Sequence, residues 1–233
     1  PMYTGPFVAL IMAAFISAGS TIGLVEVINL AIGGFLVTAA ASTLNQVIEK
    51  DYDRKMERTK NRPLVLGSMS VSTAVLIAGI MSLVGVILLA TFNPLTSFLG
   101  MISLIAYAFV YTPLKRYHHS SVQFGAIPGA LPMAIGVVAV QGTITPLAIL
   151  LFSLQFFWQM PHFWAIAWKS HTDYVNAGFK LLPTSNNTKD KGVGLQSILY
   201  AVPLIPISIS FYFFDLMGIY STITLMLLSA WYT

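Results

Sequence analysis

The stretch NQVIEKDYDRKMERTKNRP, residues 45–63, separates two long apolar segments of the chain. Ten of its nineteen residues carry a formal charge, although only 9% of the 233 residues are charged and 56% are hydrophobic. One soluble core cannot bury so much apolar length, whereas a bilayer accepts it in helical segments of about 20 residues. The charged stretch therefore predicts a loop at a membrane surface, between two spans.

The apolar segments on either side of this loop predict about eight membrane spans. Because backbone polar groups must be hydrogen-bonded internally within lipid, and the alternating pattern of a membrane barrel is absent from the sequence, the spans should be helices. The predicted fold is all-α, a polytopic transmembrane helical bundle, with residues 1–233 forming one domain. The predicted spans lie near residues 6–22, 27–48, 71–91, 95–112, 122–140, 144–168, 195–214 and 216–232.

The basic residues predict the orientation of the bundle. All twelve Lys and Arg residues fall within residues 50–62, 115–116 and 169–191, which are the loops after the second, fourth and sixth spans. Alternate loops lie on one side of the bilayer, and loops rich in Lys and Arg face the cytoplasm. We therefore expect these three loops on the cytoplasmic side, or on the matrix side in an organelle.

Acidic residues in the opening stretch recur at a helical spacing. If the helix of the second span continues, Asn45, Glu49 and Asp53 occupy positions i, i+4 and i+8 on one face, with Asp51 off that face but near it. Carboxylates stacked one turn apart repel each other. The pattern is therefore tolerated best where a cation lies between them.

Two arginines, Arg58 and Arg62, follow these acids within one or two turns. Mg²⁺ binds a few carboxylates together with phosphate oxygens and water, while arginine holds the remaining phosphate oxygens. The segment therefore favours a diphosphate site with the ligand's tail in the bilayer. The alternative is a solvated loop in which acids and bases simply pair.

A second polar segment supports the diphosphate hypothesis. In WQMPHFWAIAWKSHTDYVNAGFKLLP, residues 158–183, and just before it, several polar side chains are predicted to share one helical face. Polar groups on a membrane helix usually face the bundle interior or a wet cavity. We therefore favour a cavity that this segment shares with the first one. The alternative is that His162 only packs between helices and Lys169 only extends its ammonium group to the membrane surface. These side chains are Gln155, Gln159, His162, Lys169 and Asp173.

The pattern Asn45-x-x-x-Glu49-x-x-x-Asp53, followed by MERTKNRPL, resembles the first signature of the UbiA superfamily of intramembrane prenyltransferases. The segments EKDYDRKMERTKNRPL, YTPLKR, GAIPGALP and QMPHFWAIAW…DYVNAGFKLLP cover most of the chain and are similar to the branch that farnesylates haem. The resemblance implies a nine-helix bundle. The eight predicted spans therefore suggest a truncated chain.

The resemblance also implies a reaction: transfer of a farnesyl group from farnesyl diphosphate to a vinyl group of haem B, forming haem O and diphosphate. Mg²⁺ would be the cofactor, and haem B a substrate. The expected partners are these two substrates and the lipid bilayer, with a haem A synthase as a candidate recipient of the product and no nucleic acid. The expected location is a bacterial inner membrane, with the mitochondrial inner membrane as the alternative.

The resemblance assigns roles to individual residues. The metal and diphosphate ligands would be Asn45, Glu49, Asp53 and Asp173, and Lys169 would complete the catalytic set. The substrate-binding residues would be Asp51, Arg58, Arg62, Lys115, Arg116, Gln159 and His162. Any one of Arg58, Arg62, Lys115 and Arg116 could instead serve only to set the topology.

Two departures from the family pattern bear on the acceptor. Glu49 replaces the usual Asp, and Asp173 is the one clear acid of the second signature, with Ser170 near the other expected position. The presence of one clear acid in the second signature favours haem over a quinone precursor as the acceptor. A prenyltransferase for a quinone precursor stays an alternative, and so does a membrane transporter. Among candidate iron ligands, His162 is preferred over His118 and His119, which read as polar loop residues beside Lys115 and Arg116.

Overall fold

The computed structural model describes residues 4–19, 23–185, 188–190 and 192–232. Among these residues, every element longer than two residues is helical. In chain order they are α1 (Thr4–Ser17), α2 (Leu24–Ile48), α3 (Lys50–Asp53), α4 (Pro63–Leu66), α5 (Val71–Ala90), α6 (Pro94–Ile105), a π-helical turn (Ala106–Tyr111), α7 (Thr112–Leu114), α8 (Ser121–Gln141), α9 (Pro146–Lys169), α10 (His171–Ala177), β1 (Thr184–Ser185), β2 (Thr188–Lys189), α11 (Gly192–Ala201), α12 (Leu204–Phe213) and α13 (Ile219–Tyr232).

Each of the eight predicted spans coincides with a helix or with helices in series. The first helix ends at Ser17, earlier than predicted, and residues 20–22 of that predicted span lie outside the described residues. Within the described chain, five helical segments are long and apolar enough to cross a membrane: Leu24–Ile48, Val71–Ala90, Pro94–Leu114, Ser121–Gln141 and Gly192–Phe213. The predicted all-α architecture is confirmed, apart from the two-residue antiparallel strands β1 and β2.

Two of the spans are interrupted. The fourth contains the π-helical turn Ala106–Tyr111, which joins α6 to α7. The seventh is divided between α11 and α12 at Val202 and Pro203. Proline has no backbone N–H to continue a helix and clashes with the preceding turn, which accounts for the second interruption.

The helix α8 lies at the centre of the bundle, packed against α1, α6 and α9 and buried along most of its length. Small residues on α8 allow this close packing. A Cβ atom on Gly125 would lie 2.6 Å from the Tyr111 ring, and one on Gly129 would collide with the Gln159 amide. Glycine at these two positions therefore lets the fourth and sixth spans approach α8.

The pair α2 and α5 packs in the same way. A Cβ atom on Gly85 of α5 would lie 2.9 Å from Val37 Cγ2 and 3.0 Å from the carbonyl oxygen of Gly33, both on α2. The opposite face of α5 exposes large apolar side chains, among them Ile80 and Leu83. An apolar outer face of this kind suits contact with lipid rather than with water.

Candidate active site

The helical stripe predicted from the sequence survives the end of α2. The Glu49 N–H donates to Asn45 O at 2.9 Å, and the Asp53 N–H donates to Glu49 O at 2.8 Å. These i to i+4 bonds hold the three side chains at helical spacing although α2 ends at Ile48 and α3 begins at Lys50. All three are buried, with exposed fractions of 6% for Asn45, 3% for Glu49 and 1% for Asp53.

Two cations face the buried carboxylates. Lys115 Nζ lies 2.6 Å from Glu49 Oε1, and Arg62 Nη1 lies 2.5 Å from Asp53 Oδ2. The ammonium group of Lys115 also lies 4.8 Å from the centroid of the Tyr111 ring and 5.4 Å from that of Phe179. The site therefore pairs each carboxylate with one cation drawn from elsewhere in the chain.

One carboxylate oxygen is left over. Asp53 Oδ1 is buried and, within the described part of the chain, has no hydrogen-bond partner. Burial raises the pKa of the Asp53 carboxyl, Arg62 acts against this, and the neighbouring Glu49 charge adds to it. A buried carboxylate with an unused oxygen is a favourable position for an additional cation.

The donor set consists of oxygen atoms, which suit a hard cation such as Mg²⁺. Glu49 and Asp53 supply carboxylate oxygens, and Asn45 supplies an amide. The described residues contain no group of three or more His, Cys, Asp or Glu side chains arranged for a metal ion, so the protein alone offers few ligands. Mg²⁺ usually binds one or two carboxylates and takes its other ligands from phosphate and water. The residues present therefore fit a metal that a diphosphate helps to hold.

A cavity of about 1280 Å³ adjoins this cluster. Apolar and aromatic side chains of α8, α9 and α13 form much of its wall. Eight of the predicted site residues line it: Asn45, Glu49, Asp53, Arg58, Arg62, Lys115, Gln159 and His162. The structure thus brings the first polar segment and part of the second to one cavity, as the sequence predicted.

Four predicted site residues lie elsewhere in the described structure. Asp51 and Lys169 are exposed, Asp173 and Arg116 are partly buried, and none of them lines this cavity. The prediction that Lys169 and Asp173 share a cavity with Gln155, Gln159 and His162 is wrong, because the cavity is lined by the last three only, and Ser170 (φ −101°, ψ 23°) separates α9 from α10. The functional roles of these residues stay predictions.

Arg116 has a structural contact of its own. Its Nη2 donates to Ile48 O at 2.5 Å, and its guanidinium lies 4.2 Å from the centroid of the Tyr52 ring. A cation at the carboxyl end of a helix binds unpaired carbonyl groups and interacts favourably with the helix dipole. Arg116 therefore fastens the loop after the fourth span to the end of α2.

The second polar segment meets the first through Arg58, whose Nη2 donates to the Tyr174 hydroxyl at 3.4 Å. On α9, Gln159 is buried and its Nε2 donates to Ala126 O of α8 at 2.5 Å. His162 is exposed, and its ring lies 5.2 Å from that of Trp158, centroid to centroid. Gln159 thus joins two helices, whereas the His162 ring stacks on Trp158 of its own helix at the cavity wall.

The paired histidines lie outside the main cavity. The rings of His118 and His119 stack with centroids 4.2 Å apart, and the Ser120 N–H donates to His118 Nδ1 at 3.0 Å. They line a separate cavity of about 400 Å³, together with His171 and other residues. Partial burial, together with the adjacent His118, lowers the pKa of His119. Both lie in the loop between α7 and α8, as predicted, and their interpretation as residues that do not bind iron stays a prediction.

Several contacts around the site were missed from the sequence. Thr112 is buried and its Oγ1 accepts from Asn45 Nδ2 at 3.0 Å. Thr59 Oγ1 donates to Asp53 O at 2.9 Å. Tyr111 and Thr112 belong to the YTPLKR segment, whose two basic residues alone were assigned roles. The available signal was polar side chains at the end of an apolar span.

The UbiA prenyltransferase family model matches residues 6–233. The chain therefore belongs to the UbiA prenyltransferase family. A relative named protoheme IX farnesyltransferase, from Christiangramia forsetii, is 44% identical over 201 residues, which cover 84% of this chain and 66% of the relative. A protein of the same name from Flavobacterium psychrophilum is 48% identical over 180 residues, covering 77% of this chain and 59% of the relative. The chain thus spans about three fifths to two thirds of the length of these relatives.

Solved structures share the fold. The apo structure of a UbiA homolog from Aeropyrum pernix K1 has a TM-score of 0.77 and 18% identity, covering 98% of this chain and 85% of the other. A UbiA homolog from Archaeoglobus fulgidus, bound to GPP and Mg²⁺, has a TM-score of 0.69 and 17% identity, covering 98% and 82%. With its apolar helices and this family, the chain is an integral membrane protein.

Proposed function

We propose that this chain is the prenyltransferase domain, residues 1–233, of an enzyme that transfers the farnesyl group of farnesyl diphosphate to a vinyl group of haem B. The products are haem O and diphosphate, and Mg²⁺ is the cofactor. The names of the relatives support this acceptor, and the metal and prenyl diphosphate in the Archaeoglobus fulgidus homolog support the donor.

The single observation that carries the proposal is the buried carboxylate cluster beside the cavity. Glu49 and Asp53 each face one cation, and Asp53 retains an oxygen without a partner in the described chain. In a solvated loop these charges would stay in water. Moving them into the protein interior costs desolvation free energy, which pairing with a cation does not always recover. Burial of this kind suits a ligand that completes the charge balance.

The chain's own residues would provide both parts of a diphosphate site. Asn45, Glu49 and Asp53 would hold the metal, while Lys115 and Arg62 would provide positive charge for the phosphate oxygens. When bound, Mg²⁺ supplies further positive charge that stabilises diphosphate as a leaving group. Preorganised charges of this sort need no rearrangement as negative charge develops on the departing oxygen.

The bond between the farnesyl C1 and the diphosphate oxygen breaks, and the electron pair leaves with diphosphate. The vinyl group of haem B then contributes its π electrons to a new bond with C1. Addition of water to the carbon left positive, with release of a proton, gives the hydroxyl group of the product. Trp158 and Phe163 line the cavity and offer π faces to the allylic cation, and the apolar wall limits its premature hydrolysis.

The orientation and the partners are further parts of the proposal. The three basic loops face the cytoplasm, and the relatives above are bacterial, which favours a bacterial inner membrane. A haem A synthase is the candidate recipient of the product.

The proposal is tested with membranes that contain the protein, farnesyl diphosphate, Mg²⁺, and either haem B or 4-hydroxybenzoate. Mass spectrometry should detect farnesylated haem and unchanged benzoate. Farnesylated benzoate with unchanged haem would reassign the chain to the quinone-precursor branch. Absence of both products, with transport of a solute into vesicles, would favour the transporter alternative.

A further inference from the structure

Thr112 belongs neither to the proposed metal ligands nor to the phosphate-binding cations. It follows the π-helical turn directly, and its side chain is fully buried. It nevertheless contacts a proposed ligand, because Asn45 Nδ2 donates to Thr112 Oγ1 across 67 residues of sequence. The contact joins the end of the second span to the end of the fourth.

The hydrogen positions at this contact follow from the partners. Thr112 Oγ1 donates its single hydrogen to Tyr107 O at 2.8 Å, so it can only accept from Asn45. Glu49 Oε2, which lies 2.9 Å from the same Asn45 Nδ2, is an acceptor when ionised. Both neighbours require an N–H group, which leaves one orientation of the Asn45 amide.

The π-helical turn makes the Thr112 hydroxyl available in this direction. In an α-helix a threonine hydroxyl usually bonds to the carbonyl three or four residues earlier. Tyr107 lies five residues before Thr112, and its carbonyl accepts from both the backbone N–H and the hydroxyl of Thr112. The wider turn therefore holds the hydroxyl hydrogen away from Asn45.

We propose that Thr112 is a positioning residue that orients the Asn45 amide so that Oδ1 is the atom available to Mg²⁺. The inference rests on the proposed function, in which Asn45 is a metal ligand. An amide nitrogen with two hydrogens cannot ligate a cation, and Mg²⁺ takes oxygen ligands. Without the hydroxyl, the amide loses one of the two acceptors that fix its orientation.

The test is metal binding rather than activity alone. Purified variants are titrated with Mn²⁺ in the presence of farnesyl thiodiphosphate, and free Mn²⁺ is measured by electron paramagnetic resonance. Thr112→Val keeps the shape but removes the hydroxyl, and we expect Mn²⁺ affinity to fall by about 10- to 100-fold, as for other groups that orient metal ligands. Thr112→Ser restores the hydroxyl and should restore near wild-type affinity.

Two controls separate positioning from packing. Thr43→Val removes a hydroxyl of α2 that bonds to Ala39 O at 2.8 Å, outside the cavity lining, and should leave Mn²⁺ affinity unchanged. In an Asn45→Ala background, Thr112→Val should cause no further loss, because the group it orients is gone. An equal loss in both backgrounds would overturn the proposal.

Thr112→Ala replaces Thr112→Val if the latter does not fold, and normal Mn²⁺ affinity in either folded variant refutes the positioning role. The two proposals fail separately. If the wild-type protein binds Mn²⁺ more tightly than Thr112→Val but does not farnesylate haem B, only the proposed acceptor is refuted. A wild-type protein that farnesylates haem B while Thr112→Val binds Mn²⁺ normally refutes only the positioning role.

Discussion

Asp53→Asn separates the charge of the buried site from its shape. Asparagine nearly preserves the volume of the side chain and keeps one oxygen, which can still accept from Arg62. It removes the negative charge and replaces one carboxylate oxygen with an NH₂ group. Because Asp53 Oδ1 has no partner in the described chain, the lost ligand capacity is not already committed to another contact.

The expected loss concerns the chemical step rather than the fold. Removing one contact to a leaving group's developing charge costs about 10²–10³ in rate, which is about 2.7–4 kcal/mol, and loss of a metal ligand should cost at least as much. Stability should change little, since burial already disfavours the charged form of Asp53 and the Arg62 side chain is 25% exposed, so that water can solvate it.

The assay is single-turnover farnesyl transfer to haem B at saturating farnesyl diphosphate, with Mg²⁺ titrated for each variant. Glu57→Gln is the matched control, because Glu57 is 83% exposed, pairs with Lys60 and does not line the cavity. Size-exclusion chromatography and circular dichroism report whether each variant is folded. Equal and mild effects of Asp53→Asn and Glu57→Gln would show that the acids only solvate a loop.

Three further outcomes are expected. Removal of divalent cations with EDTA should abolish farnesyl transfer, and added Mg²⁺ should restore it; activity that persists in EDTA contradicts the metal site. A cysteine placed at Asn61 should react with a membrane-impermeant maleimide only from the cytoplasmic side, and one placed at Thr143 only from the other side, whereas the opposite labelling would invert the proposed topology. Replacement of both His118 and His119 with Ala should leave the Soret band of bound haem unchanged, while His162→Ala should shift it or reduce turnover; a shift in the double variant alone would reverse that assignment.

Local spacing and composition were enough to predict the helical spans and the first polar stripe. Each of the eight predicted spans contains a helix, because apolar runs of sufficient length leave the backbone few alternatives in lipid. The stripe of Asn45, Glu49 and Asp53 was predicted because positions four residues apart share a helical face whatever surrounds the helix. The same rule did not place Lys169 and Asp173 correctly, since neither lines the cavity that Gln159 and His162 line.

The choice of partners for these side chains lay beyond the sequence pattern. That Lys115 pairs with Glu49, that Arg116 binds the carbonyl end of α2 and that Thr112 orients Asn45 all depend on how the fourth span rotates and packs against the second. Helical periodicity predicts which residues share a face of one helix, but it does not predict which other helix packs against that face. The local pattern of the sequence thus determines that the chain spans a membrane and carries a stripe of carboxylates. The charge pairs and the cavity depend on contacts between helices that are distant in sequence. Small residues such as Gly125 allow these helices to approach closely.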